Sequence, residues 1–396
     1  MSVTIDSLDG ALEAVAKLGP VVREHAQAAE DQRRLPREVV DAFTDAGLWG
    51  VFAPVEVGGS GLGGLTQLFE IARAMAYEDS SAGWALFICG TTPMLLASKL
   101  PPEGRDEIFA DGVSPTAGVF MPSGQGRVVD GGIVVNGRWQ FGSGIAHSPY
   151  VMGNVVVVDD SGAPTPSGDM PFEIRAFVVP AEEVTIVDDW RVAGLRGTGS
   201  MSFAVEDVMV PDRRTFDFFA GPPTITHPKY RVPLFSSLGP AFAGLGAGIV
   251  RRMLDELIAY LPTRLRPPTF EPASADPTIQ LSIGQAAATM RAVDESSRGI
   301  FGSYDARTDV GEDLAGLPMA NRAEIHQHIV WVRDRCVETA AELFRLGGAS
   351  SIYEPNILQR GWRDVSVMGQ HAYVGTASHL LGAQLAFGQE VSSPLL

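Results

Sequence analysis

The sequence predicts an α+β protein: an N-terminal α-helical domain, a central antiparallel β-barrel domain and a C-terminal four-helix bundle. Two changes in hydrophobic periodicity predict this order. Helical spacing fills residues 1–113, short β-type runs fill residues 114–220, and helical spacing returns over residues 221–396. A chain of 396 residues is also long for a single hydrophobic core, which favours several domains.

The first unit, residues 1–113, is predicted to be entirely helical. Pro36 occupies a position that the first turn of a helix tolerates, and Gly47 marks the end of that helix. Residues 51–64 (VFAPVEVGGSGLGG) are rich in glycine, but no G-x-G-x-x-G follows a strand there and no Lys-Ser/Thr ends the segment. We therefore interpret this segment as a connection. The other helical patterns cover residues 66–77, 82–100 and 105–111.

The second unit, residues 114–220, is predicted to consist of strands without intervening helices, which is typical of a small antiparallel barrel or sandwich. An Asp-Gly pair at residues 130–131 predicts a hairpin turn. Residues 161–170 (SGAPTPSGDM) predict an exposed loop. The β-type runs are residues 127–129, 132–135, 151–159, 174–179 and 203–209.

The third unit follows a Pro-rich connection at residues 221–233. Its first helical pattern contains glycines 239, 244, 246 and 248, whose small size permits close helix contact. Arg363, Asp364, His371 and Tyr373 crowd near a Gly-Thr pair (375–376) where the helical pattern breaks, which predicts a pocket there. The predicted helices of the bundle are residues 238–261, 278–304, 318–346 and 372–388.

Composition excludes several classes of function. A net charge of −17 and a pI near 4.8 argue against a nucleic-acid partner. No apolar run reaches the roughly 18 residues that a membrane span needs, and the N-terminus lacks a signal-peptide pattern. The two cysteines, Cys89 and Cys336, lie in apolar helical patterns without metal-ligand spacing. We expect a reduced, cytoplasmic protein without a metal, a membrane partner or nucleic acid.

Two motifs carry a family resemblance. Residues 190–211 (WRVAGLRGTGSMSFAVEDVMVP) resemble the G-[LM]-R-G-[ST]-x-[ST] signature of the acyl-CoA dehydrogenase superfamily. Residues 346–365 (LGGASSIYEPNILQRGWRDV) are similar to that family's GG-x-G…R-x-x-RD region, and the α, β, α order matches over the whole chain. The resemblance implies a flavoprotein whose C-terminal bundle contributes to the flavin site and to oligomerisation. We interpret the Arg363–Asp364 pair as a structural ion pair.

The catalytic glutamate of many acyl-CoA dehydrogenases is absent. It belongs to a Y-E-G-T turn, which here resembles Tyr373-Val374-Gly375-Thr376, and valine cannot accept a proton. Some relatives carry the base on an earlier helix, where Asp255 or Glu256 could serve, although both fit an ordinary solvated helix face. A dehydrogenase with a relocated base therefore stays an alternative.

His371, just before Tyr373, resembles instead the two-component flavin-dependent monooxygenases of the same fold. That branch implies reduced flavin (FADH2 or FMNH2) from a separate NAD(P)H-dependent reductase, together with O2. It implies hydroxylation of an aromatic, indole or phenol-like small molecule through a C4a-hydroperoxyflavin. His371 would act as acid or base, because its pKa lies near neutrality, with Tyr373 beside it. An amino-group N-hydroxylase and a non-catalytic binding protein of this fold stay open.

Residues 136–150 (NGRWQFGSGIAHSPY) resemble the W-x-F-x-S-G form of the monooxygenase branch. The resemblance implies that the Ser143 hydroxyl binds flavin N5 and that Phe141 packs on the isoalloxazine. His147 and Trp84 are the candidate substrate-binding residues. Trp84 lies in a helix, residues 80–90, that lines the substrate cavity in this branch.

Three further segments resemble flavin contacts of the family. The loop at residues 118–126, which includes Met121, corresponds to one whose backbone touches the flavin. Arg264 or Arg266 resembles the arginine that reaches the flavin phosphate of a neighbouring subunit, and Gly347-Gly348 lies in the loop that closes over it. A shared site implies a homotetramer. The sequence distinguishes neither FMN from FAD nor one aromatic substrate from another.

Overall fold

The computed structural model describes residues 5–168, 171–219, 223–391 and 393. Its N-terminal part is helical, as predicted, with Pro36 directly before the second helix and Gly47 just beyond its end. Residues 169–170 and 221–222 of the two predicted loops lie outside the described residues, as does residue 220 at the predicted domain boundary. The N-terminal helices are α1 (Leu8–Gln32), α2 (Arg37–Asp45), α3 (Leu65–Glu78), α4 (Ser80–Lys99) and α5 (Pro102–Ile108).

The central part forms one sheet, which has eight strands in the part of the chain that the structure describes. All five predicted strands are present; the other three are three residues long, too short to show an alternating pattern. The strands are β1 (Thr116–Gly118), β2 (Gly124–Val129), β3 (Gly132–Gly142), β4 (Tyr150–Val158), β5 (Ile174–Pro180), β6 (Thr185–Val187), β7 (Met201–Pro211) and β8 (Thr215–Asp217).

The observed sheet differs from the predicted antiparallel barrel in two respects. Its order is β6-β7-β3-β2-β4-β5-β8 with β1 beside β4, and the β2–β4 and β1–β4 pairs are parallel. The order is open, yet the sheet curls: Trp139 of β3 contacts Phe177 of β5 at 5.1 Å and stacks on Phe203 of β7 at 5.2 Å. A curled sheet with a filled interior takes the place of a closed barrel.

The C-terminal part is helical, but the predicted start of its last helix is wrong. Residues 372–374 form a single 3-10 turn, and the helix begins only at Ala377. The preceding helix, α9, was not predicted, because polar residues and Gly361 dilute its short apolar pattern. The elements are α6 (Leu234–Tyr260), the hairpin β9 (Leu265–Arg266) and β10 (Glu271–Pro272), α7 (Pro277–Asp309), α8 (Met319–Gly347), α9 (Ile357–Met368) and α10 (Ala377–Ala386).

Helices α3 and α6 pack at very close range. A Cβ at Gly244 would lie 2.2 Å from the carbonyl oxygen of Phe69, and one at Gly248 would lie 2.2 Å from that of Arg73. Only glycine permits this approach, which confirms the predicted role of the small residues. The N-terminal and C-terminal helices consequently share one hydrophobic core.

Helices α4 and α6 are both long and apolar enough to cross a membrane by composition alone. Their most apolar windows are 94% and 83% buried inside the protein. They are therefore core helices, and their buried faces carry residues of the site described below.

The glycine-rich segment between α2 and α3 is a packed connection. A Cβ at Gly63 would lie 2.5 Å from the ring of Tyr230, and the Tyr230 hydroxyl donates to the Phe52 carbonyl at 3.2 Å. This packing fills the space that a phosphate cradle would need.

Candidate active site

Ser143 follows the end of β3 and forms the centre of a hydrogen-bonded chain. The turn is set by Phe141 and Gly144, which have φ values of 68° and 71°. The buried Ser143 Oγ accepts from the indole Nε1–H of Trp84 at 3.0 Å and lies 2.7 Å from Ser200 Oγ. Three segments distant in sequence, those of Trp84, Ser143 and Ser200, thus meet at one hydroxyl group.

The direction of this chain follows from its last member. Thr198 Oγ1 donates its only proton to the Leu195 carbonyl at 2.9 Å, so it can only accept from Ser200 Oγ, which lies 2.7 Å away. Ser200 must in turn accept the proton of Ser143. Ser143 Oγ therefore accepts from Trp84, donates to Ser200 and keeps one lone pair for a further donor.

Thr198 and Ser200 were not among the predicted site residues. Both belong to the G-L-R-G-T-G-S signature, in which the two hydroxyl-bearing positions are a defining feature. The signature was therefore the signal that could have identified them. Their connection to Ser143 depends on how β7 pairs with β3, which sequence reasoning did not establish.

His371 precedes the 3-10 turn between α9 and α10. Its Nδ1 accepts the backbone N–H of Tyr373 at 3.2 Å, so the neutral imidazole carries its proton on Nε2. Its ring centre lies 4.8 Å from that of Phe242 and 5.9 Å from that of Trp84. The histidine predicted to be catalytic thus lies against the tryptophan that binds Ser143.

The surroundings keep His371 neutral. Protein atoms crowd the ring and lower its pKa to about 4. The residue is nevertheless exposed to solvent. Because its pKa is lowered, the imidazole is uncharged at neutral pH and offers Nε2–H as a donor.

Aromatic rings surround the histidine. Phe242 of α6 contacts Phe87 at 4.9 Å and Trp84 at 5.7 Å, both edge to face. Phe235 continues this wall towards Phe120, whose ring centre lies 6.2 Å away. Phe235 and Phe242 were missed because a helical apolar pattern does not show which apolar side chains lie next to a site.

Tyr373 has a supporting position. It is 4% exposed, its hydroxyl donates to the Phe235 carbonyl at 2.6 Å, and burial raises its pKa. Its ring stacks on His326 at 4.5 Å, and its carbonyl accepts from His326 Nε2. The hydroxyl is already committed within the core. We therefore revise the predicted catalytic role of Tyr373 to that of fixing the turn that carries His371.

Two predicted flavin contacts are apolar and exposed. Phe141 is 63% exposed and Met121 is 65% exposed. Phe141 meets Trp190 only edge to face, at 6.2 Å between ring centres. The exposed Phe141 ring, two residues before the buried Ser143 hydroxyl with its free lone pair, fits the apolar face and polar edge of an isoalloxazine.

The predicted phosphate contacts form a separate group. Arg264 Nη1 donates to the Leu346 carbonyl at 2.9 Å and its guanidinium packs on Gly348, where a Cβ would lie 2.3 Å from Nη2. Gly347 adjoins this contact, whereas Arg266 forms an ion pair with Asp276. Among the described residues, no hydrogen bond or ring contact joins this group to Ser143 or His371.

His147 does not join the site as predicted. Its side chain forms a hydrogen bond with the backbone of Leu35. Burial and the charge of Arg34 lower the pKa of His147. Its buried Nε2 has no hydrogen-bond partner in the described part of the chain. It therefore faces the connection between α1 and α2. A role in substrate binding is a prediction that these contacts do not support.

The candidate relocated bases also lie elsewhere. Asp255 accepts from the Tyr77 hydroxyl at 3.2 Å, and Glu256 pairs with Arg252 at 2.6 Å. Both lie about 20 Å along α6 from Phe242, given a rise of about 1.5 Å per residue. Neither carboxylate is part of the site that contains Ser143 and His371.

The cysteines are buried thiols. Burial raises the pKa of Cys89 to about 12 and raises the pKa of Cys336 further, so neither is a nucleophile at neutral pH. Within the residues that the structure describes, no group of three or more His, Cys, Asp or Glu side chains could hold a metal ion. The polar chemistry of the site therefore belongs to serine, histidine and tryptophan.

The three-part fold is that of the acyl-CoA dehydrogenases. The model of the acyl-CoA dehydrogenase N-terminal domain matches residues 14–100. The model of the C-terminal domain matches residues 240–375. The second match includes the turn in which His371 is found.

Individual relatives define the branch. The chain is 30% identical over 370 residues to the oxygenase subunit HsaA of a flavin-dependent monooxygenase from Mycobacterium tuberculosis, covering 91% of each chain. It is 31% identical over 378 residues to indole-3-acetate monooxygenase from Pseudomonas putida, covering 93% of this chain and 92% of that one. XiaF from Streptomyces sp., solved with FADH2 and glycerol, superposes with a TM-score of 0.89 at 25% identity, covering 98% of each chain.

The chain belongs to the family of flavin-dependent monooxygenase oxygenase subunits with the acyl-CoA dehydrogenase fold. It is the oxygenase component of a two-component enzyme, which uses reduced flavin and O2 to hydroxylate an aromatic substrate. This class requires a separate flavin reductase. The predicted enzyme class and cofactors are confirmed.

Proposed function

We propose that the protein hydroxylates an electron-rich small molecule of the indole or phenol class, with reduced flavin supplied by an NAD(P)H-dependent reductase. The observation that carries this proposal is the contact series from Ser143 through Trp84 to His371 along an aromatic wall. Planar aromatic substrates pack well against such rings. The name of the Pseudomonas relative, an indole-3-acetate monooxygenase, supports the indole class.

Ser143 is proposed to bind the flavin edge as an acceptor. Bound reduced flavin supplies the chemistry by activating O2, so that one oxygen atom enters the product and the other leaves as water. Ser143 Oγ has one lone pair left for the N5–H of that flavin, since its proton goes to Ser200 and Trp84 occupies its other lone pair. Holding this proton at N5 opposes the unproductive release of hydrogen peroxide.

His371 is proposed to act as a donor. Because Nδ1 is occupied by the Tyr373 amide, a base at Nε2 would first have to break that hydrogen bond. The neutral ring can instead donate a hydrogen bond from Nε2–H to an oxygen atom of the substrate or of the leaving group. The rings of Phe242 and Trp84 pack against the imidazole and hold it in this orientation.

The separate group of phosphate contacts supports a flavin site shared between subunits. Arg264 lies on the Gly347-Gly348 turn at the end of α8, where it could reach the phosphate of a flavin bound by a neighbouring chain. We therefore propose a homotetramer. Titration with FADH2 and FMNH2 under anaerobic conditions distinguishes the two cofactors, and light scattering measures the oligomer.

The central test supplies reduced flavin and 18O2 to the protein with a panel of indoles and phenols. We expect one 18O atom in the product by mass spectrometry. In Ser143→Ala, product formed per reduced flavin falls about tenfold, the effect of losing about 1.4 kcal/mol of hydrogen bonding. Ser148→Ala is the matched control, since Ser148 is equally buried in the same segment but donates to the Gly144 carbonyl.

Two outcomes would contradict the proposal. Anaerobic bleaching of oxidised flavin by an acyl-CoA, without oxygenated product, would establish a dehydrogenase. Equal coupling in Ser143→Ala and Ser148→Ala would remove Ser143 from the chemistry.

A further inference from the structure

The carboxyl group of Asp364 is buried between two elements of the active site. Asp364 lies on α9 and is 1% exposed. Its Oδ1 accepts the backbone N–H of Leu195 at 2.6 Å, and its Oδ2 accepts the hydroxyl of Ser80. The predicted Arg363–Asp364 ion pair is wrong, since Arg363 pairs with Glu30 at 3.0 Å.

These two donors lie at opposite ends of the Ser143 hydrogen-bonded chain. Leu195 provides the carbonyl at which the chain ends, through Thr198. Ser80 begins α4 and precedes Trp84, the first donor of the chain, by about one helical turn. One carboxyl group thus touches both segments whose side chains converge on Ser143.

We propose that Asp364 is a positioning residue of the active site. It fixes the spacing of Leu195 and Ser80, and through them it holds Ser200 and Trp84 at the distances that direct the free lone pair of Ser143 towards bound flavin. This inference rests on the proposed function of Ser143. Asp364 itself touches neither substrate nor flavin in this account.

The electrostatics make a purely stabilising role a poor explanation. Burial, with smaller contributions from the carboxylates Glu30 and Asp79, raises the pKa of Asp364 to about 6, although the hydrogen bonds from Ser80 and Leu195 lower it. A buried acid without an ion-pair partner is costly to retain for stability alone. The free-energy cost of burying Asp364 is offset by its two hydrogen bonds, both of which go to segments of the site.

Asp364→Asn and Asp364→Ala separate geometry from charge. Asparagine can accept from Leu195 and donate to Ser80, whereas alanine can do neither. We expect Asp364→Asn to keep product per reduced flavin within about twofold of the wild type and Asp364→Ala to lower it about tenfold. Rescue by the amide shows that the two hydrogen bonds, not the charge, carry the effect.

A readout independent of catalysis is amide hydrogen exchange in the full-length protein. In Asp364→Ala we expect faster exchange at residues 195–200 and 80–84 and weaker anaerobic binding of reduced flavin. Glu70→Gln is the matched control, because Glu70 is a buried carboxylate that pairs with Arg73 and Arg298, outside these segments. Exchange and coupling in Asp364→Ala that equal those of Glu70→Gln would overturn the proposal.

Two further arms keep the test decisive. If Asp364→Ala does not fold, Ser80→Ala is used instead, because it removes one of the two hydrogen bonds. We expect faster amide exchange at residues 80–84 and a partial loss of product per reduced flavin. Unchanged exchange at these residues would overturn the proposal. If the wild type forms no oxygenated product, the proposed function fails, while exchange and flavin binding still decide the role of Asp364.

Discussion

The indole Nε1 of Trp84 donates to Ser143 Oγ across 3.0 Å, joining α4 to the end of β3. This hydrogen bond occupies one lone pair of the Ser143 oxygen, so that only the other lone pair can accept a hydrogen bond from bound flavin. The same indole lies 5.9 Å from the His371 ring. Trp84 therefore connects the residue proposed to bind flavin with the residue proposed to act on the substrate side.

Trp84→Phe removes the N–H donor and keeps most of the ring. The Ser143 hydroxyl is then free to rotate and to rearrange its hydrogen bond with Ser200. Because a buried hydrogen bond contributes about 1 kcal/mol, we expect several-fold more hydrogen peroxide per reduced flavin. Peroxide and product are measured together under single turnover. Trp331→Phe, on α8 against His328, is the control. Equal coupling in both variants would show that the Trp84–Ser143 bond is not used.

His371→Asn separates the two nitrogens of the histidine. The asparagine carbonyl can still accept the Tyr373 amide, but no group replaces Nε2–H. We expect about a tenfold loss of product per flavin, the effect of losing about 1.4 kcal/mol of hydrogen bonding. Anaerobic flavin affinity should stay within about twofold.

His379→Asn is the control for that variant, because His379 lies exposed on α10, 3.9 Å from Asp334. Normal coupling in His371→Asn would assign the histidine to holding the turn alone.

Tyr373→Phe tests whether this tyrosine supports the turn or takes part in catalysis. Loss of its hydrogen bond to the Phe235 carbonyl should lower the free energy of unfolding by about 1 kcal/mol. Coupling should stay within about twofold, since the hydroxyl is directed into the core. Urea unfolding and product analysis measure the two effects. Tyr353→Phe, at a 69% exposed position, should change neither, and a large loss of coupling in Tyr373→Phe would restore its catalytic role.

His328 should make the stability pH-dependent. It is 8% exposed, its Nε2 lies 3.0 Å from Ser297 Oγ, and burial lowers its pKa to about 4. The unfolded chain, with a histidine pKa of about 6.5, takes up this proton first, so stability falls as the pH drops from about 6.5 towards 4. At pH 5 the loss is about 2 kcal/mol.

A His328→Gln variant should lose correspondingly less stability between pH 8 and pH 5 in urea titrations. His227→Gln, at an exposed position, should follow the wild type. Parallel pH profiles for His328→Gln and the wild type would contradict the prediction.

Periodicity and motif resemblance predicted the order of the helices and strands, and they predicted Ser143, Trp84 and His371 as residues of one site. These residues could be identified because each stands in a short motif with a fixed spacing. Phe242 and Phe235 could not, because an apolar residue on a buried helix has the same pattern whether it faces a core or a cavity. Asp364 was identified but given the wrong partner, since adjacent residues on a helix point in different directions.

The helix break after α9 bears on how this family changes its chemistry. Residues 371–376 lie between α9 and α10, outside both α-helices, and His326 of α8 holds the segment through the Tyr373 carbonyl. Val374 is fully buried, and an unpaired carboxylate introduced there would cost several kcal/mol. Restoring the family's glutamate at this position would therefore not recover dehydrogenation.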